Sequence, residues 1–429
     1  MASSSASVLR RFSAGGTSHP LQSRLDTARS FYFPTRLAMA EEFDQIFVSL
    51  KQLLVGMVPE QWRPIISILL SIAAIIIVFA TLFAVTTILE RKGLGRIQNR
   101  YGPNRVGPYG ILQPVADGLK AMTKEDIVPR AADQVVHFLA PLVLVVPVFL
   151  ALAVIPVGRN MAALNLDSGL LFFFAVGAAT ELSVFMAGWS SRNKYSLLGA
   201  MRAIAQMISY EVPLILSAIT VVMIVGSLSP VRIVDAQAGY FWILPRWFVL
   251  TPWGFAGFIL FLIAATAESN RSPFDLPEGE SEIIAGYYIE YSGFKFALFF
   301  LGEYIGLFAV SGLAITLFLG GWHAPLSFLT WLPSYVWFFA KLLALIALFI
   351  WVRGTLPRLR IDQLMNFAWK FMLPMALCNI VVAGVWHFIT PGIGRWLVCL
   401  CLIAGPYFIL GRSLFEHRSL AKRTYRYAE

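Results

Sequence analysis

Charged residues are scarce in this chain, which has 429 residues. They make up 14% of the sequence, against about 25% in typical globular domains. Hydrophobic residues make up 58%, and mean hydropathy is +0.71. This composition excludes an ordinary soluble domain. An alternation of apolar and polar residues with period two is also missing, which argues against a membrane β-barrel.

Motifs for redox cofactors, metals and nucleotides are missing as well. No Cys-x-x-Cys pair occurs, and the five histidines have no metal-ligand spacing. There is no P-loop, and Gly93-Leu94-Gly95 lacks the third glycine of the dinucleotide fingerprint, where Gln98 stands. Three cysteines lie in apolar runs: Cys378, Cys399 and Cys401. We therefore expect no bound metal, nucleotide or permanent cofactor.

Long apolar runs dominate what is present. Nine of them approach or exceed the ~20 residues with which a helix crosses a bilayer. They predict spans near 65–89, 138–157, 169–189, 206–227, 253–268, 294–319, 334–352, 370–389 and 394–411. The fold class predicted from these runs is an all-α polytopic membrane protein, a bundle of about nine transmembrane helices.

Two further segments have the pattern of amphipathic surface helices. In 41–57 and 111–122, apolar residues share one helical face and charged residues lie opposite. For the second segment, an ordinary loop helix packed on the spans is an equally good interpretation.

Lysine and arginine in the loops predict the orientation. The loops 90–137, 190–204, 269–293 and 353–365 and the tail 412–429 carry 20 of them, and the alternate loops carry 3. By the positive-inside rule the first set lies on the inner side of the membrane. The formal net charge of +10 therefore requires no nucleic acid, because these loops can face anionic lipid.

The sequence divides into four predicted segments. Residues 1–38 form a Ser-rich, basic extension, 39–63 an interfacial amphipathic segment, 64–389 a membrane domain of eight spans, and 390–429 an extra span with a basic inner tail. The extension has the composition of a mitochondrial presequence. We favour an over-extended start with Met39 as the first residue, because so hydrophobic a chain is difficult to import into an organelle.

The stretch 268–290 is acidic against the trend of the chain. A single arginine, Arg271, accompanies its carboxylates, and apolar runs flank it on both sides. Like charges at a membrane edge raise one another's pKa values, which favours a functional site. The alternative is a solvated loop that leads into a helix N-terminus, where acidic residues are favourable. The six acidic residues are Glu268, Asp275, Glu278, Glu280, Glu282 and Glu290.

Four carboxylates fall inside successive predicted spans, from the third to the sixth: Glu181, Glu211, Glu268 and Glu303. Ionisable residues within spans usually face the bundle interior or water and often carry protons. The four together predict a hydrated track that leads from the acidic loop. The alternative, a neutral hydrogen-bonded carboxyl with a structural role, fits any one of them better than all four. Lys341 is a further charge, in the seventh span.

Four long motifs in order, in 89–126, 188–214, 267–304 and 351–374, resemble the quinone-channel subunit of respiratory complex I. They include GRIQNRYGPNRVGP, QMISYEVP, ESNRSPFDLPEGESE and RGTLPRLRIDQL. This family comprises the H subunit of the bacterial complex and its mitochondrial counterpart, subunit 1. The resemblance covers about 64–386. The extension before it and the apolar run 394–411 depart from the family's usual eight spans.

The resemblance implies a tilted bundle that forms most of a quinone access chamber. Quinone would be a substrate reduced on peripheral partner subunits, which would also carry NADH, flavin and iron–sulfur clusters, so no catalytic redox residue is expected here. The family's proton path corresponds to the four intramembrane glutamates, and its chamber acids to Asp275, Glu278, Glu280 and Glu282. Its chamber basic residues correspond to Arg91, Arg100, Arg202, Arg271, Arg353, Arg358 and Arg360.

We therefore expect a membrane subunit of proton-translocating NADH:quinone oxidoreductase that couples quinone reduction to proton translocation. Its expected partners are the other complex I subunits, at the quinone site and in the membrane arm, together with membrane lipid. The expected location is the bacterial inner membrane, with the mitochondrial inner membrane as the alternative. A related membrane subunit of an ion-translocating hydrogenase-type complex is a second interpretation. A stand-alone secondary transporter is less favoured, because the sequence shows no inverted repeats.

Overall fold

The structure is a computed structural model that describes residues 43–276, 285–390 and 392–415, with the side chains of the last three omitted. The predicted extension 1–38 and the acidic residues Glu278, Glu280 and Glu282 lie outside the described residues. Within the described ranges, the only strands are a short antiparallel pair, β1 (Tyr240–Phe241) and β2 (Leu244–Pro245).

Helices make up about three quarters of the described chain. In chain order they are α1 Ile46–Gly56, α2 Arg63–Ile97, α3 Gln113–Thr123, α4 Gln134–Val154, α5 Gly169–Ser190, α6 Lys194–Val225, α7 Pro230–Ala236, α8 Pro252–Glu268, α9 Gly293–Phe318, α10 Ser334–Thr355, α11 Ile361–Phe367, α12 Leu373–Phe388 and α13 Ile393–Phe415. A π-helical turn, Ala368–Met372, joins α11 to α12.

Eight helices of the described chain are long and apolar enough to cross a membrane, with α11 and α12 counted as one. The prediction of an all-α polytopic membrane protein is confirmed. The remaining predicted span, 253–268, is the 17-residue helix α8. At 1.5 Å per residue α8 is only about 25 Å long, a little less than the ~30 Å hydrocarbon core.

Helix α9 forms the centre of the bundle. In its most apolar 18-residue window, 72% of the residues are buried, against 6% in α2 and in α13. Helices α4 and α8 pack against α9, and α6 packs against α5, α8 and α12. At Gly302 in α9 a Cβ atom would lie 2.7 Å from Leu144 Cδ2, so a larger residue there would require the Leu144 side chain to move. Most side chains of α9 therefore face protein rather than lipid.

Two helices extend further than their apolar runs predicted. α2 continues through the charged residues after position 89 as far as Ile97, and α6 begins at Lys194, well before the predicted span at 206. Hydropathy marks only the lipid-facing part of a helix, so polar turns at the inner end were missed. Pro213 lies inside α6, which remains one helix around it.

The two predicted amphipathic segments form α1 and α3. Phe47 and Leu50 of α1 are exposed, and so are Leu119 and Met122 of α3, which fits a position in the membrane surface. Helix α1 is fixed to the bundle by Asp44, whose carboxylate accepts hydrogen bonds from the backbone N–H and the hydroxyl of Ser334 at 2.7 and 2.5 Å.

Candidate functional site

Glu90 is the centre of a buried charge cluster at the inner end of α2. Its side chain is almost fully buried, and its Oε1 accepts hydrogen bonds from Arg271 Nη1 at 2.8 Å and from Arg353 Nη1. Its Oε2 accepts one from the Tyr304 hydroxyl at 2.6 Å. Two guanidinium groups therefore share one carboxylate, and the cluster of Glu90, Arg271 and Arg353 carries a net positive charge.

Arg271 connects this cluster with the acidic stretch predicted from sequence. Its guanidinium also lies over the Tyr304 ring, 4.0 Å from the centroid. Burial works against the charged form of Arg271, but the Glu90 carboxylate, with smaller contributions from Tyr304 and Glu303, outweighs it and raises the pKa of Arg271 above its ordinary value. Arg271 is therefore a permanent cation between the inner cluster and α9.

A cavity of about 70 Å³ lies in the bundle, between α4, α5, α6 and α9. Its wall is mostly apolar, with polar groups at Glu268, Asn270, Tyr287 and Glu303. A water molecule needs roughly 10–15 Å³ by this measure, so the cavity has room for a few waters. Glu268 Oε2 is buried and has no hydrogen-bond partner among the described residues. The cavity therefore has both the space and the polar groups to hold water next to two carboxyl groups.

Glu181 and Glu211 form a second carboxyl pair, which is not part of the cavity wall. The two side chains, from α5 and α6, lie close enough to each other for a hydrogen bond between them. Both are also within electrostatic range of Glu268. The structure therefore brings the four intramembrane glutamates predicted from sequence into one region of the bundle, in the order Glu303, Glu268, then the pair.

Glu303 is held by two tyrosines that were not predicted from the sequence. The hydroxyl of Tyr287 donates to Glu303 Oε1 at 3.1 Å, and the hydroxyl of Tyr288 donates to the same atom. Both rings are buried in the turn that precedes α9. The sequence feature that could have pointed to them is the tyrosine pair inside the acidic stretch 268–290.

Most of the other residues that the resemblance assigned to the quinone chamber lie apart from Glu90 and from one another. Asp275 lies within electrostatic range of Glu303. Arg91 pairs with Asp117 of α3 at 2.6 Å, and both side chains are largely exposed. Arg202 is half-buried in α6. The remaining three lie on inner loops and are exposed: Arg100, Arg358 and Arg360. Of the seven predicted basic residues, only Arg271 and Arg353 meet at Glu90.

Lys341 is separate from the carboxylates. Its Nζ donates to the backbone carbonyls of Leu319, Gly321 and His323 at 2.7, 2.8 and 2.7 Å, and it lies 4.1 Å from the centroid of the Trp247 ring. This intramembrane charge therefore fixes the turn after α9.

Four residues of the site were overlooked at the level of sequence: Glu90, Tyr287, Tyr288 and Tyr304. Glu90 was missed because it follows the apolar run and was treated as the first residue of a loop. Helices α9 and α10 bury the helical turn that contains Glu90. This burial results from packing, and hydropathy along the sequence does not reveal it.

The fold and this arrangement define a polytopic membrane protein with carboxyl groups collected inside its bundle. The chain belongs to the NADH dehydrogenase family, whose model matches residues 70–384. Within that family it belongs to the group of H subunits of NADH-quinone oxidoreductase. The match begins within α2 and ends within α12, so helix α13 lies outside it.

Several bacterial proteins that bear the name of the NADH-quinone oxidoreductase H subunit are similar to this chain. The protein of Dehalococcoides mccartyi (strain CBDB1) is 54% identical over 305 residues, which are 71% of this chain and 82% of the relative. That of Geobacillus kaustophilus (strain HTA426) is 48% identical over 328 residues, or 75% of this chain and 96% of the relative. One such protein of Geobacter metallireducens is 48% identical over 325 residues, or 74% and 95%.

These relatives and the eight apolar helices identify the chain as a membrane subunit of NADH-quinone oxidoreductase and as a multi-pass protein of the bacterial inner membrane. Other subunits of that complex are therefore its partners. The predicted bacterial location is confirmed over the mitochondrial alternative.

Proposed function

We propose that this chain forms the access chamber for quinone and couples quinone reduction to proton translocation through its buried carboxyl groups. The observation that carries the proposal is the cavity of about 70 Å³ that Glu268 and Glu303 share, with the Glu181–Glu211 pair within electrostatic range of Glu268. Carboxyl groups next to water inside a membrane bundle are the usual means of moving protons.

The inner cluster supplies the link to quinone chemistry. Arg271 is hydrogen-bonded to Glu90 and lies within electrostatic range of Glu303, so it connects the inner end of α2 with one of the carboxyl groups at the cavity. A charge that appears beside this cluster when quinone is reduced acts on the same cation. At an effective dielectric constant of about 20, two unit charges 4 Å apart interact by about 4 kcal/mol. That energy corresponds to about three pKa units, enough to change which carboxyl group holds a proton.

Quinone is a substrate in this proposal, and the redox centres belong to partner subunits. The chain's own residues hold and move protons: Glu303 and Glu268 across the cavity, then Glu211 and Glu181. The relatives named above are all subunits of NADH-quinone oxidoreductase, which favours this function over a hydrogenase-type complex or a stand-alone transporter.

The test replaces Glu211 by glutamine in the assembled complex, reconstituted in proteoliposomes. We expect Glu211→Gln to lower proton pumping strongly, because glutamine keeps the shape of the side chain but cannot exchange a proton. Glu60→Gln is the matched control, since Glu60 is an exposed residue on the outer side that pairs only with Arg63 among the described residues. Wild-type quinone reduction together with wild-type pumping in Glu211→Gln would overturn the proposed path at this residue.

A further inference from the structure

The hydroxyl groups of Tyr287 and Tyr288 and one carboxyl oxygen of Glu303 form a closed triangle. The two hydroxyl oxygens are 2.9 Å apart, Tyr287 Oη is 3.1 Å from Glu303 Oε1, and Tyr288 Oη contacts the same Oε1. The two tyrosines are 0% and 2% exposed. Each pair of oxygens in the triangle is therefore in contact, and both tyrosines are shielded from bulk water by the protein around them.

The number of hydrogens in this triangle depends on the carboxyl group. When Glu303 is ionised, two hydroxyl hydrogens serve three oxygen pairs, so one pair has no hydrogen between its atoms. When Oε1 carries a proton, three hydrogens serve three pairs, and each oxygen donates once and accepts once. The geometry thus accommodates one added proton without loss of any hydrogen bond.

The triangle has the cavity on one side and aromatic rings on the other. Tyr287 and Glu303 line the cavity together with Glu268. Tyr288 instead packs its ring against Phe296, Phe299 and Phe300. Protons therefore reach the triangle from the cavity, and the aromatic side closes it toward the inner end of α9.

The charged and titratable groups that act on Glu303 come from several elements. Arg271 lies within electrostatic range and favours the carboxylate, whereas Asp275 opposes it. Glu268, at the end of α8, faces the same cavity. Because cation and anions act in opposite directions, small changes at Arg271 or Glu268 decide whether the triangle holds the extra proton.

We propose that Tyr287, Tyr288 and Glu303 form a proton-exchanging triad, in which the tyrosines are positioning residues that hold the Glu303 carboxylate by donated hydrogen bonds and reorient their hydroxyl groups when it gains or loses a proton. This rests on the proposed function, since it assigns a role within the same path. In the uptake step an O–H bond of a protonated cavity water, or of protonated Glu268, breaks as the Glu303 Oε1–H bond forms, which leaves a neutral water or the Glu268 carboxylate. The hydroxyl hydrogens rotate to complete the ring of three bonds. In the release step the Oε1–H bond breaks, the proton passes to a cavity water, and both tyrosines keep their own protons.

The test uses Tyr287→Phe, Tyr288→Phe and the double variant in the assembled complex in proteoliposomes. Each phenylalanine removes two of the three contacts and preserves the ring. A hydrogen bond to a charged group contributes about 1.5 kcal/mol or more, so we expect about tenfold slower coupled pumping in each variant and a changed pH profile of pumping. Tyr291→Phe is the matched control, because Tyr291 belongs to the same buried aromatic cluster but its hydroxyl lies 3.3 Å from Ser190 Oγ.

Infrared difference spectra separate this role from simple packing. The carbonyl stretch of protonated Glu303 is identified by its absence in Glu303→Gln. We expect it to shift in Tyr287→Phe and Tyr288→Phe and to stay in place in Tyr291→Phe. If one tyrosine variant does not assemble, the other tests the same triangle.

The outcomes distinguish the triad from the path that it serves. Wild-type pumping, pH profile and carbonyl stretch in both tyrosine variants, together with lost pumping in Glu303→Gln, would overturn the triad and leave the carboxylate path intact. Wild-type pumping in Glu303→Gln would instead contradict the proposed function at that residue.

Discussion

Arg271 Nη1 lies 2.8 Å from Glu90 Oε1, although 181 positions separate the two residues in the sequence. The contact joins the only arginine of the acidic stretch to the inner end of the first long helix. With Arg353 on the same carboxylate, three distant segments meet at one buried charge. This cluster is the structural connection between the inner loops and the carboxyl groups inside the bundle.

Glu90→Gln should strongly destabilise the protein. The change leaves two guanidinium groups, one of them buried, without their anion, and removal of one partner from a buried pair costs about 3–5 kcal/mol. The measurement is the amount of this chain in assembled complex and the thermal midpoint of that complex. Asp117→Asn is a useful comparison, because it removes a carboxylate that also pairs with an arginine but at the surface. Equal stability of Glu90→Gln and wild type would show that the cluster is not structurally important.

Asp117→Asn itself should have little effect. Its partner Arg91 is 52% exposed, and exposed ion pairs contribute about 0–1 kcal/mol. We expect a thermal midpoint and a quinone-reductase rate close to wild type at moderate salt. A large loss of assembly would mean that α3 docks on another subunit through this pair.

Lys341→Met should loosen the turn that follows α9. Methionine keeps the length of the side chain but donates no hydrogen bond, so the carbonyls of Leu319, Gly321 and His323 lose a shared cationic donor. Hydrogen–deuterium exchange of peptides from 319–333 should be faster, by about tenfold or more if even about 1.4 kcal/mol of local stability is lost. Lys51→Met is the control, since Lys51 donates only to Ser71 among the described residues. Unchanged exchange in Lys341→Met would show that the turn does not depend on the lysine.

The same turn should be less stable in acid because of His323. Burial, with the nearby charges of Lys341 and Arg159, lowers the pKa of His323 from 6.5 to about 4. Between these values the unfolded turn binds a proton that the folded turn excludes, so local stability is full above about pH 6.5 and falls as pH drops toward 4. Exchange protection of 319–333, corrected for the intrinsic rate, should decrease in that window. His323→Asn should remove the decrease; its persistence would assign the effect to another group.

The sequence determined the fold class because apolar runs of membrane length allow few alternatives. It also located Glu181, Glu211, Glu268 and Glu303, since a charge within an apolar run is conspicuous. Hydropathy could not place Glu90, because the helix continues through a charged turn that is buried by protein rather than lipid. Nor could it show which of seven basic residues approach Glu90, since the two that do follow α8 and lie in α10, and only the folded bundle brings them to α2.

The tyrosines at Glu303 illustrate a second limit. An aromatic residue beside an apolar helix fits a core position or an interfacial anchor, and nothing in its spacing reveals a hydrogen bond to a carboxyl group. Only the turn at 286–288 aims both hydroxyl groups at the same oxygen. Pairwise contacts across a bundle are set by packing, which a single sequence does not display.

In the proposed path, the Glu268 carboxyl group carries protons between the cavity and the Glu211 pair. The most direct measurement is the number of protons pumped per NADH oxidised by the complex with Glu268→Gln, in proteoliposomes, next to wild type and Glu60→Gln. We predict that Glu268→Gln loses most of its pumping while Glu60→Gln matches wild type. A wild-type proton ratio at a wild-type rate in Glu268→Gln would contradict this role of the carboxyl group.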